Sequence, residues 1–237
     1  MKKQSFQQSN SDHTLFLKNQ NGKVTALIIY VDDMIITGDD NEEIIELQKH
    51  LAKEFEMKNL GGLKYFLGIE VARSKHGIFL SQRKYILDLL METWMLECKP
   101  ADTPIAHNEK LSIHGHQIPT DKEQYQRLVG KLIYLSHTRP DIAYVVSLVS
   151  QFMHNTSKDH LSVVIRILRY LKSSPGRGLM LRKYGHLNVE GHSDANWAGS
   201  SDRKSTSGYF TFVGGNLVTW RNKKQTVVAL SSAEAEF

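Results

Sequence analysis

A single cysteine, Cys98, in 237 residues rules out an internal disulfide framework and fits a reducing compartment. The eleven histidines do not make up for the lack of thiols: they are scattered, and no Cys/His set has zinc-ligand spacing. His114 and His116 fall in a polar stretch where solvated side chains are expected. No apolar run approaches the length of a membrane span, and the start, Met1-Lys2-Lys3-Gln4-Ser5, lacks the apolar core of a secretory signal. An intracellular, soluble protein with no membrane partner is therefore expected. Charge of either sign is in small excess too: 30 Lys and Arg against 25 Asp and Glu leave +5, compatible with a polyanionic partner and no more. What is present is a globular composition, 41% apolar and 23% charged, in a chain long enough for one large domain or two ordinary ones.

The first third alternates strands with helices. Residues 13–17 and 24–30 flank Asn21-Gly22, a dipeptide that tolerates the positive backbone angles of a tight hairpin. The second of these strands runs into Asp32-Asp33 and returns through Met34-Ile35-Ile36; its apolarity on both sides predicts cover on both faces. Asp40 with Glu43 resembles a capping box, and Ile44, Leu47, Leu51 and Phe55 recur at helical spacing behind it. After Gly61-Gly62, residues 65–71 and 78–80 read as a hairpin turning at Lys75-His76-Gly77. Ser81 is the expected cap of a helix striped by Tyr85, Ile86, Leu89, Leu90 and Trp94.

From 99 to 120 the pattern dissolves around Pro100, Pro104 and Pro119 into a linker or extended loop. Three helices follow, striped by Tyr125, Leu128, Val129, Leu132 and Leu135, then by Ile142, Val145, Val146, Val149 and Phe152 with Pro140 in the first turn, then by Leu161, Val164, Ile165, Leu168 and Leu171. These stripes are packing faces. Pro175-Gly176 stops the last of them, and strands return over 187–192, 208–213 and 217–221 as an antiparallel meander with a Gly214-Gly215-Asn216 turn. Ser231-Ser232-Ala233-Glu234 opens a helix that the sequence carries only to Phe237, too short to stand alone, so the last domain reads as cut off.

Two sets of carboxylates could carry chemistry. Adjacent strand residues point to opposite faces, so Asp32 and Asp33 can converge only at a turn, which makes the pair a hairpin tip. Such a tip is either a solvated surface turn or an oxygen-rich site suited to magnesium. In the second set Asp194 ends a strand while Glu234 and Glu236 start a helix. A strand-end aspartate and a helix-borne glutamate can hold a divalent metal near a phosphate; equally, Asp194 forms a turn and the glutamates favour the helix dipole.

Taken together, the stretches resemble the Pol polyprotein of copia-type LTR retrotransposons. The resemblance rests on Asp12-His13-Thr14-Leu15-Phe16, Tyr30-Val31-Asp32-Asp33-Met34-Ile35-Ile36-Thr37-Gly38, Met57-Lys58-Asn59-Leu60-Gly61 and Tyr65-Phe66-Leu67-Gly68-Ile69-Glu70. It continues through Gly77-Ile78-Phe79-Leu80-Ser81-Gln82, Cys98-Lys99-Pro100 with Thr103-Pro104, Leu128-Val129-Gly130-Lys131-Leu132-Ile133-Tyr134-Leu135 and Thr138-Arg139-Pro140-Asp141-Ile142. Ser193-Asp194-Ala195-Asn196-Trp197-Ala198-Gly199, Arg203-Lys204-Ser205-Thr206-Ser207-Gly208-Tyr209 and Leu230-Ser231-Ser232-Ala233-Glu234-Ala235-Glu236 complete an ordered series over about 7–237.

That resemblance implies an α+β chain: part of a reverse transcriptase palm, an antiparallel sheet with helices, and the start of the thumb over 1–98; a linker over 99–120; a helical thumb or connection over 121–176; and the first part of a ribonuclease H-like α/β domain over 177–237. It implies Asp32 as principal and Asp33 as supporting ligand of Mg2+, or Mn2+, in two-metal phosphoryl transfer. The hairpin over 65–80 is similar in position to the element gripping the primer end. In the ribonuclease H part the metal ligands map to Asp194 and to Glu236, preferred over Glu234 because Ala235-Glu236-Phe237 best fits a glutamate followed by a bulky apolar residue. Asn196 stands where many relatives have a second aspartate. Arg83 and Lys84 on the thumb helix and Lys204, Arg221, Lys223 and Lys224 beyond it are the expected contacts to a primed RNA template or RNA/DNA hybrid.

Such a polymerase also needs fingers and another palm aspartate, and a ribonuclease H needs later aspartates, which are expected in the missing remainder of the polyprotein. A chain incomplete at both sites is expected to have no turnover alone. The alternatives are a non-enzymatic nucleic-acid-binding remnant and a decayed reading frame without function.

Overall fold

The computed structural model describes residues 5–107, 111, 118–199 and 202–236; His114, His116, Phe237 and the first four residues lie outside them. The chain divides into two compact units, one ending at Phe66 and one beginning at Leu67. Both combine helices with antiparallel sheets, the α+β content expected.

The first unit is a sheet of four antiparallel strands in the order β1 (Gln7–Gln8), β2 (Leu15–Gln20), β3 (Lys23–Tyr30) and β4 (Asp33–Gly38), followed by α1 (Asn41–Glu54) and the short β5 (Tyr65–Phe66). Asn21 and Gly22 both have positive φ, 52° and 79°, as a two-residue turn between β2 and β3 requires. The register places Phe16, Leu27 and Ile36 in one row and Leu15, Ile28 and Ile35 in the next. The first row faces α1, where Leu27, Leu47 and Leu51 are buried with Phe6. Asp40 caps α1 by accepting the Glu43 N–H at 3.2 Å, while the Glu43 carboxylate takes the Lys18 ammonium at 2.7 Å. Cover on both faces, expected from the apolarity of β3, is not what this unit provides: one helix covers one face, and on the other Leu17, Val24 and Tyr30 stay partly open.

In the second unit, β6 (Ile69–Ser74), β7 (Gly77–Ser81) and β8 (Gly178–Leu181) are neighbours in that order, so a strand about a hundred positions downstream joins the hairpin, with Leu80 opposite Leu179. Helices α2 (Arg83–Glu92), α3 (Lys122–Leu135), α4 (Pro140–Ser150) and α5 (Lys158–Ser173) share one core built from the stripes read in the sequence. Asp121 and Ser157 cap α3 and α5 through bonds from Gln124 N–H and His160 N–H, and Pro140 opens α4. Between α4 and α5 the fully buried Arg139 forks onto Asp141 at 2.8 and 2.7 Å and donates to the Ser174 carbonyl at 2.9 Å.

Two expectations about α2 change. Its N-cap is Gln82, not Ser81, and makes no side-chain cap bond; Gln82 instead accepts from Thr138, and the Glu70 carboxylate takes the Lys84 N–H at 3.0 Å. Trp94 is not on the apolar stripe. The helix ends in a Schellman turn in which Met95 N–H reaches Leu90 and Trp94 N–H reaches Met91, leaving Trp94 at φ 58° and 93% exposed while Met95 fills the core.

The last sheet has the order β11 (Asn216–Lys224), β10 (Thr206–Val213), β9 (Val189–Asn196), an antiparallel meander as expected, with α6 (Ser232–Glu236) packed against β9.

Candidate functional site

The β3–β4 hairpin closes with Tyr30 opposite Asp33, so its two-residue loop is Val31-Asp32. The tip sits one residue earlier than the expected Asp32-Asp33, because Asp33 already heads β4. Val31 has φ 50° and is 80% exposed, a left-handed conformation that costs a branched residue about 1–2 kcal/mol. Strand alternation puts Asp33 with Tyr30, Ile28 and Ile35 on the face away from α1, and both aspartates are exposed. Their four carboxylate oxygens are the hard donors that magnesium or manganese takes. Among the described residues, however, no group of three or more His, Cys, Asp or Glu is placed to hold a metal.

Asp194 lies in β9 opposite Gly208, two residues before the strand ends, and accepts the Ala195 N–H at 2.9 Å. Glu234 is committed to the helix start: its N–H donates to Ser231 Oγ at 3.2 Å, and its carboxylate accepts the Leu230 N–H at 2.6 Å. Glu236 is exposed on α6. The Trp197 indole donates to the Ala229 carbonyl at 3.0 Å and the Gln225 amide to the Ala235 carbonyl at 2.6 Å, which ties the segment to the sheet. The elements carrying Asp194 and Glu236 are thus neighbours.

The basic candidates are not one surface. Arg83 and Lys84 share the first turn of α2, where Lys84 pairs with Asp88 at 2.6 Å. On β11, Arg221 and Lys223 share the face opposite Trp220 and Asn222, whereas Lys224 alternates away and pairs with Asp202 at 2.9 Å. Lys204, partly buried, stands in the β9–β10 connection. Sequence reasoning missed a cavity of about 670 Å³ lined by α4, β9, β10 and β11. Its signal was present as a period of two, His192, Asp194 and Asn196 against Gly208, Phe210 and Phe212. No helix among the described residues is long and apolar enough to cross a membrane.

Residues 1–107 match the family model described as reverse transcriptase (RNA-dependent DNA polymerase). The chain is 43% identical over 233 residues to the retrovirus-related Pol polyprotein from transposon RE1 of Arabidopsis thaliana, covering 98% of this chain and 16% of that one. It is 39% identical over 251 residues to the Pol polyprotein from transposon TNT 1-94 of Nicotiana tabacum, covering all of this chain and 19% of that one. A third relative, an uncharacterised mitochondrial protein of Arabidopsis thaliana, is 41% identical over 212 residues, 89% of this chain and 88% of its own length. The chain therefore spans under a fifth of the Pol polyproteins that it matches. No solved structure matches it. With the reverse-transcriptase model over its first part and Pol relatives along nearly its whole length, the chain belongs to the reverse transcriptase family of retrotransposon Pol polyproteins.

Proposed function

We propose that the chain is a segment of an RNA-directed DNA polymerase whose Asp32 and Asp33 hold a divalent cation at the end of the open face of the first sheet. The observation that carries this reading is the strained hairpin tip. A valine kept at φ 50° and 80% exposed has no packing reason to be there, and the turn that it makes carries Asp32 in the loop and Asp33 at the head of β4. Magnesium, when bound, supplies activation of the primer hydroxyl and stabilisation of the departing pyrophosphate. Asp32 and Asp33 bind and orient it. In the same reading residues 177–237 begin a ribonuclease H-like domain in which Asp194 and Glu236 are ligands, Glu234 being occupied by the backbone. Each site draws two carboxylates from this chain, so the chain alone binds cations weakly and does not turn over.

Purified chain incubated with a primed RNA template, Mg2+ or Mn2+ and nucleotides should extend the primer no further than an Asp32→Asn, Asp33→Asn variant does; extension above that control overturns the proposal. Weak Mn2+ binding should be lost in the same double variant.

A second reading, non-enzymatic binding of an RNA/DNA hybrid, is favoured by Arg221 and Lys223 projecting from one sheet face. Affinity should then fall with salt, and Arg221→Ala with Lys223→Ala should reduce the log–log slope by about 1.5–2. An unchanged slope rejects these two contacts.

A further inference from the structure

The cavity beneath α4 has the features of a small-ligand site. Its volume, about 670 Å³, lies in the range of about 300–1,000 Å³ common for such sites, and its walls combine aromatic rings, among them Phe210 and Trp220, with polar groups such as Asp194 and Asn222. Across the sheet, the register sets Asp194, Gly208 and Asn222 in one row and His192, Phe210 and Trp220 in the next. In the second row His192 and Phe210 are stacked, with centroids 4.9 Å apart and planes 20° apart, and Phe212 stands edge-on to both at 87°. The Trp220 indole is fixed by donating to the Ser136 carbonyl at 2.9 Å. One face of the Phe210 ring is taken by His192, yet Phe210 stays 43% exposed, which leaves its other face for a flat ligand.

The first row is polar. The Asn222 carboxamide oxygen lies over Gly208, where a side chain would come within 2.8 Å of it, so Gly208 is flanked by two acceptors, that oxygen and the Asp194 carboxylate in the same row. An ionised carboxylate only accepts hydrogen bonds, and it has room for two coplanar donors. A ligand that stacks on the aromatic row and meets that carboxylate edge-on must be planar and carry two adjacent donors. Guanine has them, its ring N–H beside its exocyclic amino group. Adenine, cytosine and uracil each set an acceptor next to their donor on that edge and would face repulsion.

We propose that this cavity binds a guanine base, stacked on the open face of Phe210 with its donor edge on Asp194 and the Asn222 carboxamide oxygen. The site goes beyond the metal reading and does not rest on it, since stacking and the carboxylate contact need no cation; base and cation compete for the one Asp194 carboxylate. The base can belong to a free nucleotide or to an unpaired guanosine in a strand; the chemistry recognised is the same.

Calorimetry on the full chain in excess chelator tests this. Guanosine monophosphate should bind saturably and at least about tenfold more tightly than adenosine monophosphate, and Asp194→Asn should weaken guanosine binding by at least about tenfold while leaving adenosine unchanged. Phe210→Ala should weaken both. A short uridine oligonucleotide with one central guanosine, compared with its central-adenosine counterpart, separates the sources: tighter binding than the mononucleotide assigns the site to a strand, and equal or weaker binding assigns it to free nucleotide. Absence of saturation at millimolar guanosine monophosphate, equal affinity for the two mononucleotides, or indifference to Asp194→Asn overturns the proposal. Should Asp194→Asn fail to fold, the two-nucleotide comparison and quenching of Trp220 by guanosine still decide it. Because chelator is present throughout, failure here leaves the metal reading untouched, and failure of cation binding leaves this one untouched.

Discussion

Among the described residues the first unit encloses its core around Phe6, Leu27, Leu47 and Leu51, whereas in the second the helices α2 to α5 bury a continuous cluster running from Ile86 to Leu171. Geometry accounts for the contrast. A strand turns alternate side chains to opposite faces, so a sheet covered by one helix leaves half of its side chains towards solvent. A helix surrounded by other helices buries a broad stripe, and α5 alone contributes Val163, Val164, Ile167, Leu168 and Leu171. The carboxylate hairpin thus lies in the more lightly packed unit, where local opening is expected to be easier.

The sharpest way to break this comparison is to hollow out each core. The tryptophans at 94, 197 and 220 all belong to the second unit, so their fluorescence reads that unit. Leu168→Ala removes a fully buried side chain from α5 and should destabilise the fluorescence-detected transition by about 3–5 kcal/mol. Leu27→Ala, equally buried in the first sheet, should lower the circular dichroism signal of the first unit and leave the tryptophan midpoint in place. Equal shifts of that midpoint by both variants would mean that the units unfold as one.

Next in size is the Arg139 clamp. Arg139→Met removes the guanidinium from the Asp141 carboxylate, which keeps only the Tyr170 hydroxyl at 2.8 Å and the exposed Arg177, and from the Ser174 carbonyl, and should cost the second unit about 2–3 kcal/mol in a urea titration. The clamp also predicts a pH response. Burial pushes the Asp141 carboxyl up, but hydrogen bonds from Arg139 and Tyr170 outweigh it and hold the group below the ordinary carboxylate value. A folded value below the unfolded one means that the contribution is complete above about pH 4 and is lost as pH falls from there through the folded value. Asp141→Asn should flatten that part of the acid decline, and an unchanged acid profile would refute the assignment.

Smaller effects come from backbone strain, one position in each unit. Trp94 occupies the left-handed position after α2 that glycine normally fills, and Val31 does the same at the hairpin tip. Trp94→Gly and Val31→Gly should each stabilise their own unit by about 0.5–1 kcal/mol, read by urea midpoint and by hydrogen exchange of β3 and β4. A loss of stability with Val31→Gly would remove the strain argument for the hairpin. The smallest effect belongs to Lys84→Ala, which opens an exposed pair with Asp88 and should change stability by under about 0.5 kcal/mol.

Much of this was legible in the residues because the signals are local. Asn21-Gly22 dictated a turn through its positive backbone angles, Asp40 and Pro140 marked helix starts, and the apolar periods of α3, α4 and α5 named the core of the second unit. Ser81 misled because the Lys84 N–H in the first turn of α2 is met by Glu70, on another strand. Trp94 misled because its spacing fitted the stripe, while Met95 N–H bonding to Leu90 turned the chain out of the helix. At the candidate site, the carboxylates could be named but not placed. Which aspartate forms the tip depends on the Tyr30 and Asp33 pairing, and which glutamate is free depends on the Leu230 N–H that Glu234 accepts.

The sequence by itself determined the local elements, which are written in spacing and short-range chemistry, and its ordered motifs carried the resemblance to the retrotransposon Pol family, which alone singled out Asp32, Asp33, Asp194 and Glu236. Only the tertiary structure decided that β8 pairs with β7, that Arg139 is buried on Asp141 and Ser174, that Arg221 and Lys223 part from Lys224, and that α4 roofs a cavity over His192 and Asp194. Each depends on contacts between residues far apart in the chain. Their closure is driven by apolar burial, which is non-directional, so the pattern of hydrophobic residues alone does not specify which surfaces meet.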